Sequence, residues 1–210
     1  MRPYEDLPTT VEYRGQVYEL DLSYGAFFAV ADILEDDRLM YGQKISTALY
    51  IFVAGDHPDD PELLKAIYDL LKDDRPKHTG PVYMDIEQDW PYICAGFQQT
   101  YGIDLYADKS IHILRWQALL QGLPKGTKIM DIIGIRAAEI PEPTKNNAKQ
   151  IAELMRLKAQ YALKGTGKDF QTGLGSLFDM LAANGDWFYK NMLVDIKNQP
   201  KQIPTHDYQK

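Results

Sequence analysis

The chain has 210 residues, of which 45% are hydrophobic and 25% charged; this is the composition of a globular protein large enough to bury its core without disulfide or metal staples. A net charge of −7 with no basic cluster argues against nucleic acid as a partner. A lone cysteine, Cys94, excludes an intramolecular disulfide, and no apolar run reaches the roughly 20 residues of a membrane-spanning helix. No nucleic-acid or membrane partner is therefore expected.

The N-terminal MRPYEDLP has no apolar stretch, so no secretory leader is expected, and the cysteine usage fits a reducing cytosol. Residues 10–22 alternate around Arg14-Gly15, which predicts a β-hairpin that must pack on helices to persist. Ser23 is placed to cap a helix from Tyr24 to Leu34, buried through Phe27, Phe28, Val30, Ala31 and Ile33. A second helix is predicted over Lys44 to Ala54. A third begins at Pro61 after Asp60, with Leu63, Leu64, Ile67, Leu70 and Leu71 as its stripe. Asp73 to Thr79 is polar and closes this half.

Three short helices follow. The first opens at Asp89-Trp90-Pro91 and closes at Gly102. The second starts at Asp108 and ends at Gly122, and the third is capped by Thr127. Ala138 to Thr144, with two prolines, reads as a linker. Lys145 to Lys164 is rich in helix formers, with a stripe of Ile151, Leu154, Met155 and Ala162 widened by Leu157 and Tyr161. Weaker helical segments are predicted at Thr172 to Ala183 and Trp187 to Ile196, before a polar tail. The fold class expected is mainly α: a multi-helix bundle with an N-terminal hairpin. Residues 1–138 form the core, 139–164 a linker plus long helix, and 165–210 an accessory segment.

The charge is uneven. Residues 1–90 hold 19 acidic side chains against 8 basic ones, 91–136 hold 3 against 5, and 137–210 hold 8 against 10. The acidic half reads first as a solvated surface. Its second reading is a negative face for a basic partner segment.

Residues that carry chemistry fail the spacing tests. Leu163-Lys-Gly-Thr-Gly-Lys168 follows a helix and lacks the phosphate-loop spacing, since Asp169 follows the lysine. The four histidines are scattered, and no metal ligand set is spaced for zinc. Cys94 could meet His112 across neighbouring helices, but a cysteine within Tyr92-Ile-Cys-Ala95 is more often a buried structural one. The paired carboxylates sit at helix ends, where free amides and the helix dipole favour them. No cofactor and no enzymatic activity are expected.

The segment KSIHILRWQALLQGL (109–123) places Ile113, Trp116, Leu119, Leu120 and Leu123 on one helical face, with His112 on its shoulder and Arg115, Gln117 and Gln121 elsewhere. Its plain reading is a core helix anchored by Trp116. The sharper reading leaves part of it for a partner, because tryptophan and arginine dominate protein interfaces.

The wording of residues 85–136 goes further. Asp85-Ile-Glu-Gln-Asp-Trp-Pro-Tyr-Ile-Cys-Ala-Gly-Phe-Gln-Gln-Thr-Tyr-Gly-Ile-Asp-Leu105 precedes His112-Ile-Leu-Arg-Trp-Gln-Ala-Leu-Leu-Gln-Gly-Leu-Pro124 and then Ile133-Gly-Ile-Arg136. This resembles the "gp fifteen" family of tailed-phage proteins. His112 matches the family histidine, Ile113 and Leu114 replace two tryptophans, and Arg115 and Trp116 stand for a lysine and a phenylalanine. The resemblance implies a tail assembly chaperone, active in the host cytoplasm and absent from the finished virion. Its implied partners are the tape measure protein, which it would keep soluble, and the major tail protein, which it would help recruit. Self-association is a further expectation. The alternative is a tail-completion or connector subunit of the virion. Trp90, Tyr92, His112, Arg115 and Trp116 are the candidate partner-binding residues.

Overall fold

The computed structural model describes residues 6–71 and 81–164. They form β1 (Thr10–Tyr13), β2 (Gln16–Glu19), α1 (Tyr24–Glu35), α2 (Tyr41–Phe52), α3 (Pro61–Leu71), α4 (Ile86–Tyr101), α5 (Ile113–Gln121), α6 (Lys128–Ala137) and α7 (Ala148–Gln160). The mainly α architecture with an N-terminal hairpin is as expected. The helices predicted at 172–183 and 187–196, the tail after them and the polar stretch 73–79 lie outside the described residues.

The hairpin pairs Val11 with Tyr18, its two buried residues, and Tyr13 with Gln16. Arg14 and Gly15 have φ of 51° and 79°, the two left-handed residues that a tight hairpin turn requires to match strand twist. Asp60 holds this turn to α3. Its Oδ2 accepts the Tyr13 hydroxyl at 2.8 Å and pairs with Arg14 at 2.8 Å, while its Oδ1 accepts the Glu62 amide at 3.0 Å.

The segment leaving β2 joins the two halves of the molecule. On one side Asp21 N–H donates to the Phe52 carbonyl and Ala54 N–H to that of Glu19, at 2.8 and 3.0 Å. On the other side Ile113 N–H donates to Leu22 and Tyr24 N–H to Ile111, both at 2.8 Å. A few extended residues thus satisfy the exit of α2 and the entry of α5 together, which answers where those backbone groups find partners.

Ser23 caps α1 as predicted, its Oγ accepting the Ala26 amide at 3.2 Å. Gly25 is needed beneath the loop that precedes α5: a Cβ there would lie 3.0 Å from the Lys109 Cβ. α2 starts three residues earlier than expected, because Gln43 Oε1 reaches back to the Met40 amide at 2.9 Å. It also ends earlier, since Val53 is diverted into a bridge with Leu20. α3 begins at Pro61 as read, but Leu70 is exposed rather than part of the buried stripe.

α4 does not open at Asp89. Asp85 is the cap, its Oδ1 accepting the Gln88 amide at 2.7 Å, and Asp89 lies one turn inside, fully buried. Pro91 is therefore an interior residue, and the Glu87 carbonyl loses its helical donor. α5 starts at Ile113 with His112 as its cap, rather than at Asp108, whose carboxylate is turned onto the Ser110 amide and hydroxyl at 3.0 and 2.6 Å. Gln117, expected off the apolar face, is buried one turn after Ile113. Thr127 precedes α6 as read, but its hydroxyl donates to the Pro124 carbonyl instead of capping an amide. α7 is shorter than the predicted Lys145 to Lys164.

One core runs through the helices. Phe27, Leu49, Phe52, Leu63, Leu64 and Ile67 fill it from α1 to α3, and Ile93, Phe97, Ile113, Trp116 and Ile129 from α4 to α6.

Candidate interaction surface

Trp116 is the centre of an aromatic stack. Its ring lies parallel to those of Tyr24 (5.8 Å), Phe97 (6.0 Å) and Trp90 (6.4 Å), with Phe28 edge-on at 5.2 Å. Such offset and edge contacts add to the area each ring buries. Trp90 forms the half-buried rim, and Tyr106 stands edge-on to it at 6.5 Å, 62% exposed. Tyr24 anchors the loop bearing Tyr106 by donating its hydroxyl to the Leu105 carbonyl. Burial raises the Tyr24 hydroxyl to about 12, so it remains a donor. The surface end of the stack is thus Trp90 and Tyr106.

The expectation that Trp116 borders a contact surface is corrected. Its side chain is fully buried, so it supports Trp90 from behind instead of meeting a partner. Arg115, the preceding residue, is exposed; hydrogen bonds from the Ser110 hydroxyl and amide lower the Asp108 carboxyl, with the Arg115 charge adding to them. Tyr92 is half-buried and lies about 200° around the helix from Trp90. It faces the α6 side, close enough to Lys128 to influence its charge. The five candidate residues therefore do not converge: Trp90 and Trp116 touch, and the others lie apart from them.

His112 has a structural task. Nδ1 accepts the Leu114 amide at 3.2 Å, which places the proton on Nε2, and Nε2–H then donates to the Pro8 carbonyl at 3.0 Å. One neutral imidazole caps α5 and fastens the residues ahead of β1. Burial lowers its pKa, opposed by the Pro8 hydrogen bond. Both ring nitrogens are engaged, and the Cys94 thiol instead meets Tyr106 and is raised by burial. No Cys94–His112 pair forms. Among the described residues no three His, Cys, Asp or Glu side chains are grouped to hold a metal, and no helix is long and apolar enough to cross a membrane.

A second cluster escaped sequence reasoning. Asp89 and Arg136 form a bidentate pair at 2.5 and 2.8 Å, with side chains 0% and 6% exposed. The same guanidinium donates to the Tyr83 carbonyl at 2.8 Å and the Tyr161 carbonyl at 2.6 Å. Lys158 Nζ donates to the Arg136 carbonyl at 2.6 Å, and Lys128 sits 4.8 Å from the Tyr161 ring centre. Gln88 spans the far end, donating to the Ala162 carbonyl at 3.0 Å and accepting the Lys164 amide at 2.9 Å. The planar guanidinium suits this work, because its five donors serve a carboxylate and two carbonyls at once. The sequence signal was the arginine closing an isoleucine-rich helix. Its partner, 47 residues earlier, could not be read from spacing.

These contacts fix the last turn of α7 to α4 and α6. α7 itself has no buried residue. Its half-buried residues, Ile151, Leu154, Leu157, Lys158 and Tyr161, lie on one face, whereas Met155 is 53% exposed and Ile140 ahead of the helix is 50% exposed.

Searches of the curated proteins and of the solved structures found no match. A family model described as "Bacteriophage Gp15 protein" matches residues 4–163, a stretch that covers every element from β1 to α7. This chain belongs to the bacteriophage Gp15 protein family.

Proposed function

We propose that this phage protein is a tail assembly chaperone that binds the tape measure protein, keeps it soluble and helps bring tail-tube subunits to it. The observation that carries this reading is the seat of α7. The body of short helices already holds one amphipathic helix along an apolar stripe, without burying any of its residues. A tape measure protein has long amphipathic helices whose bare stripes would aggregate, and helix-in-groove contacts of this kind cover such stripes. Shallow contacts repeated along one chain give avidity while leaving each copy releasable.

In this reading the protein is not an enzyme. It acts in the host cytoplasm during assembly and is absent from the mature particle. Trp90 with Tyr106 forms a second contact surface, a rigid aromatic rim, for the major tail protein. Co-purification tests the reading. The tape measure protein expressed with this chain should remain soluble and bring it down. If this chain is instead recovered stoichiometrically in purified virions by mass spectrometry, it is a connector or completion subunit.

A further inference from the structure

Tyr106 is held in place although most of it faces solvent. It is 62% exposed, yet three contacts fix it. Its ring stands at 89° to that of Trp90, with centroids 6.5 Å apart. Its hydroxyl meets the Cys94 thiol. The loop that bears it is tied to α1, where the Tyr24 hydroxyl donates to the Leu105 carbonyl and lies 3.2 Å from that of Asp108. Behind it Trp90 stacks on Trp116 at 24° and meets Phe28 edge-on. Trp90 and Tyr106 thus make a rigid corner of two perpendicular rings. A cation seated in such a corner lies over a π face.

The charge around this corner is one-sided. From 81 to 108 the chain carries Asp85, Glu87, Asp89, Asp104 and Asp108, and no lysine or arginine. Asp89 is paired with Arg136, Asp85 caps α4, and Asp108 takes Ser110 and feels the Arg115 charge. Asp104 differs from these, because it has no ion pair among the described residues. Its Oδ1 accepts the Tyr106 amide at 2.9 Å and the Ala107 amide at 3.4 Å, which pins the carboxylate two residues from the exposed ring. Partial desolvation raises the Tyr106 hydroxyl, and Cys94 and Asp104 raise it further; among the described residues no cation acts on it. Lys109, the nearest cation along the chain, runs its stem against Gly25 of α1. Ring faces beside an unpaired carboxylate attract a positive group and repel a negative one.

We propose that the Trp90–Tyr106 corner, with Asp104 beside it, is the seat of a lysine or arginine side chain presented by the partner protein. This rests on the reading of the rim as the contact surface for the major tail protein and adds the chemistry of recognition. An apolar anchor would use the rings alone and lie against a bare carboxylate, whereas a cation uses both. The rigid corner also lowers the cost of binding, since the rings are already in position.

The test separates ring from charge in the full chain. Binding of the purified cognate major tail protein is measured at low and moderate salt. Asp104→Asn keeps an oxygen for the Tyr106 amide, so the turn survives; it should bind about fivefold more weakly and with a flatter salt dependence. Tyr106→Ala should lose at least about tenfold, while Tyr106→Phe, which keeps the ring, should stay within about twofold of the unaltered chain. Unchanged binding by Asp104→Asn overturns the proposal, because the rim then takes an apolar side chain. If the major tail protein does not bind the unaltered chain, the reading of the rim as its contact surface falls, and a tetra-arginine peptide decides the chemistry. That peptide should move the Trp90 indole N–H resonance, assigned by its loss in Trp90→Phe, and should move it less in Asp104→Asn. A tetra-glutamate peptide should leave it in place. Equal responses to the two peptides remove the cation seat.

Discussion

Asp89 and Arg136 carry opposite charges into a place where neither could stand alone. The carboxylate takes two guanidinium donors and the Asp85 amide, so its oxygens are fully engaged. Removing one member leaves the other buried and unpaired, which costs about 3–5 kcal/mol. Asp89→Asn should therefore lower stability to chemical denaturation by roughly that amount, far more than Glu87→Gln two residues earlier on an exposed site. His112 makes a smaller, pH-dependent contribution. His112→Ala removes the α5 cap and the tie to Pro8 and should cost about 1 kcal/mol. The folded state lowers the histidine pKa, so it binds fewer protons than the unfolded chain. Its stabilising effect is complete above the ordinary imidazole range and is lost as pH falls through the lowered value. Denaturation midpoints should fall with acidification in the unaltered chain, and this part of the slope should vanish in His112→Ala.

Among elements, the hairpin and α3 depend on one carboxylate. Asp60 stands just before α3, accepts the Glu62 amide and holds the Tyr13 and Arg14 side chains of the hairpin. The Tyr13 hydrogen bond, with the Glu62 amide, holds its carboxyl below the usual range. Asp60→Ala should cost about 1–2 kcal/mol, measured by thermal or denaturant unfolding. This junction was half-legible in the sequence. Pro61 marked the start of α3 and Gly15 marked the turn, because both report local backbone needs. That one aspartate serves both is a tertiary fact. The same distinction explains the displaced helix starts. Asp85 and Asp89 are equally good caps by local chemistry, and the choice falls to Asp85 because Arg136 draws Asp89 inward. Asp108 lost to His112 for a similar reason: its carboxylate closes a turn with Ser110, while the imidazole finds Pro8 far back in the chain. Trp116 was readable as a core anchor from its periodicity, but nothing local could say that Trp90 and Tyr106 would form the open end of the stack.

At the scale of the whole molecule, the elements divide into a well-buried body and a lightly held arm. The body, β1 to α6, shares one core, and the strap from Leu20 to Tyr24 fastens its halves through backbone pairing on both sides. α7 lies outside that core, an amphipathic helix with no buried residue, tied at its C-terminal end to α4 and α6. Under the proposed reading, a molecule built this way offers a helix-sized seat to a client that it must cover and later let go. The decisive measurement is the yield of soluble tape measure protein expressed with and without this chain, followed by size-exclusion chromatography of the soluble fraction. A marked rise in soluble yield and a complex that elutes together are the expected results. Equal solubility in both cultures, with the two proteins eluting separately, would contradict the chaperone role.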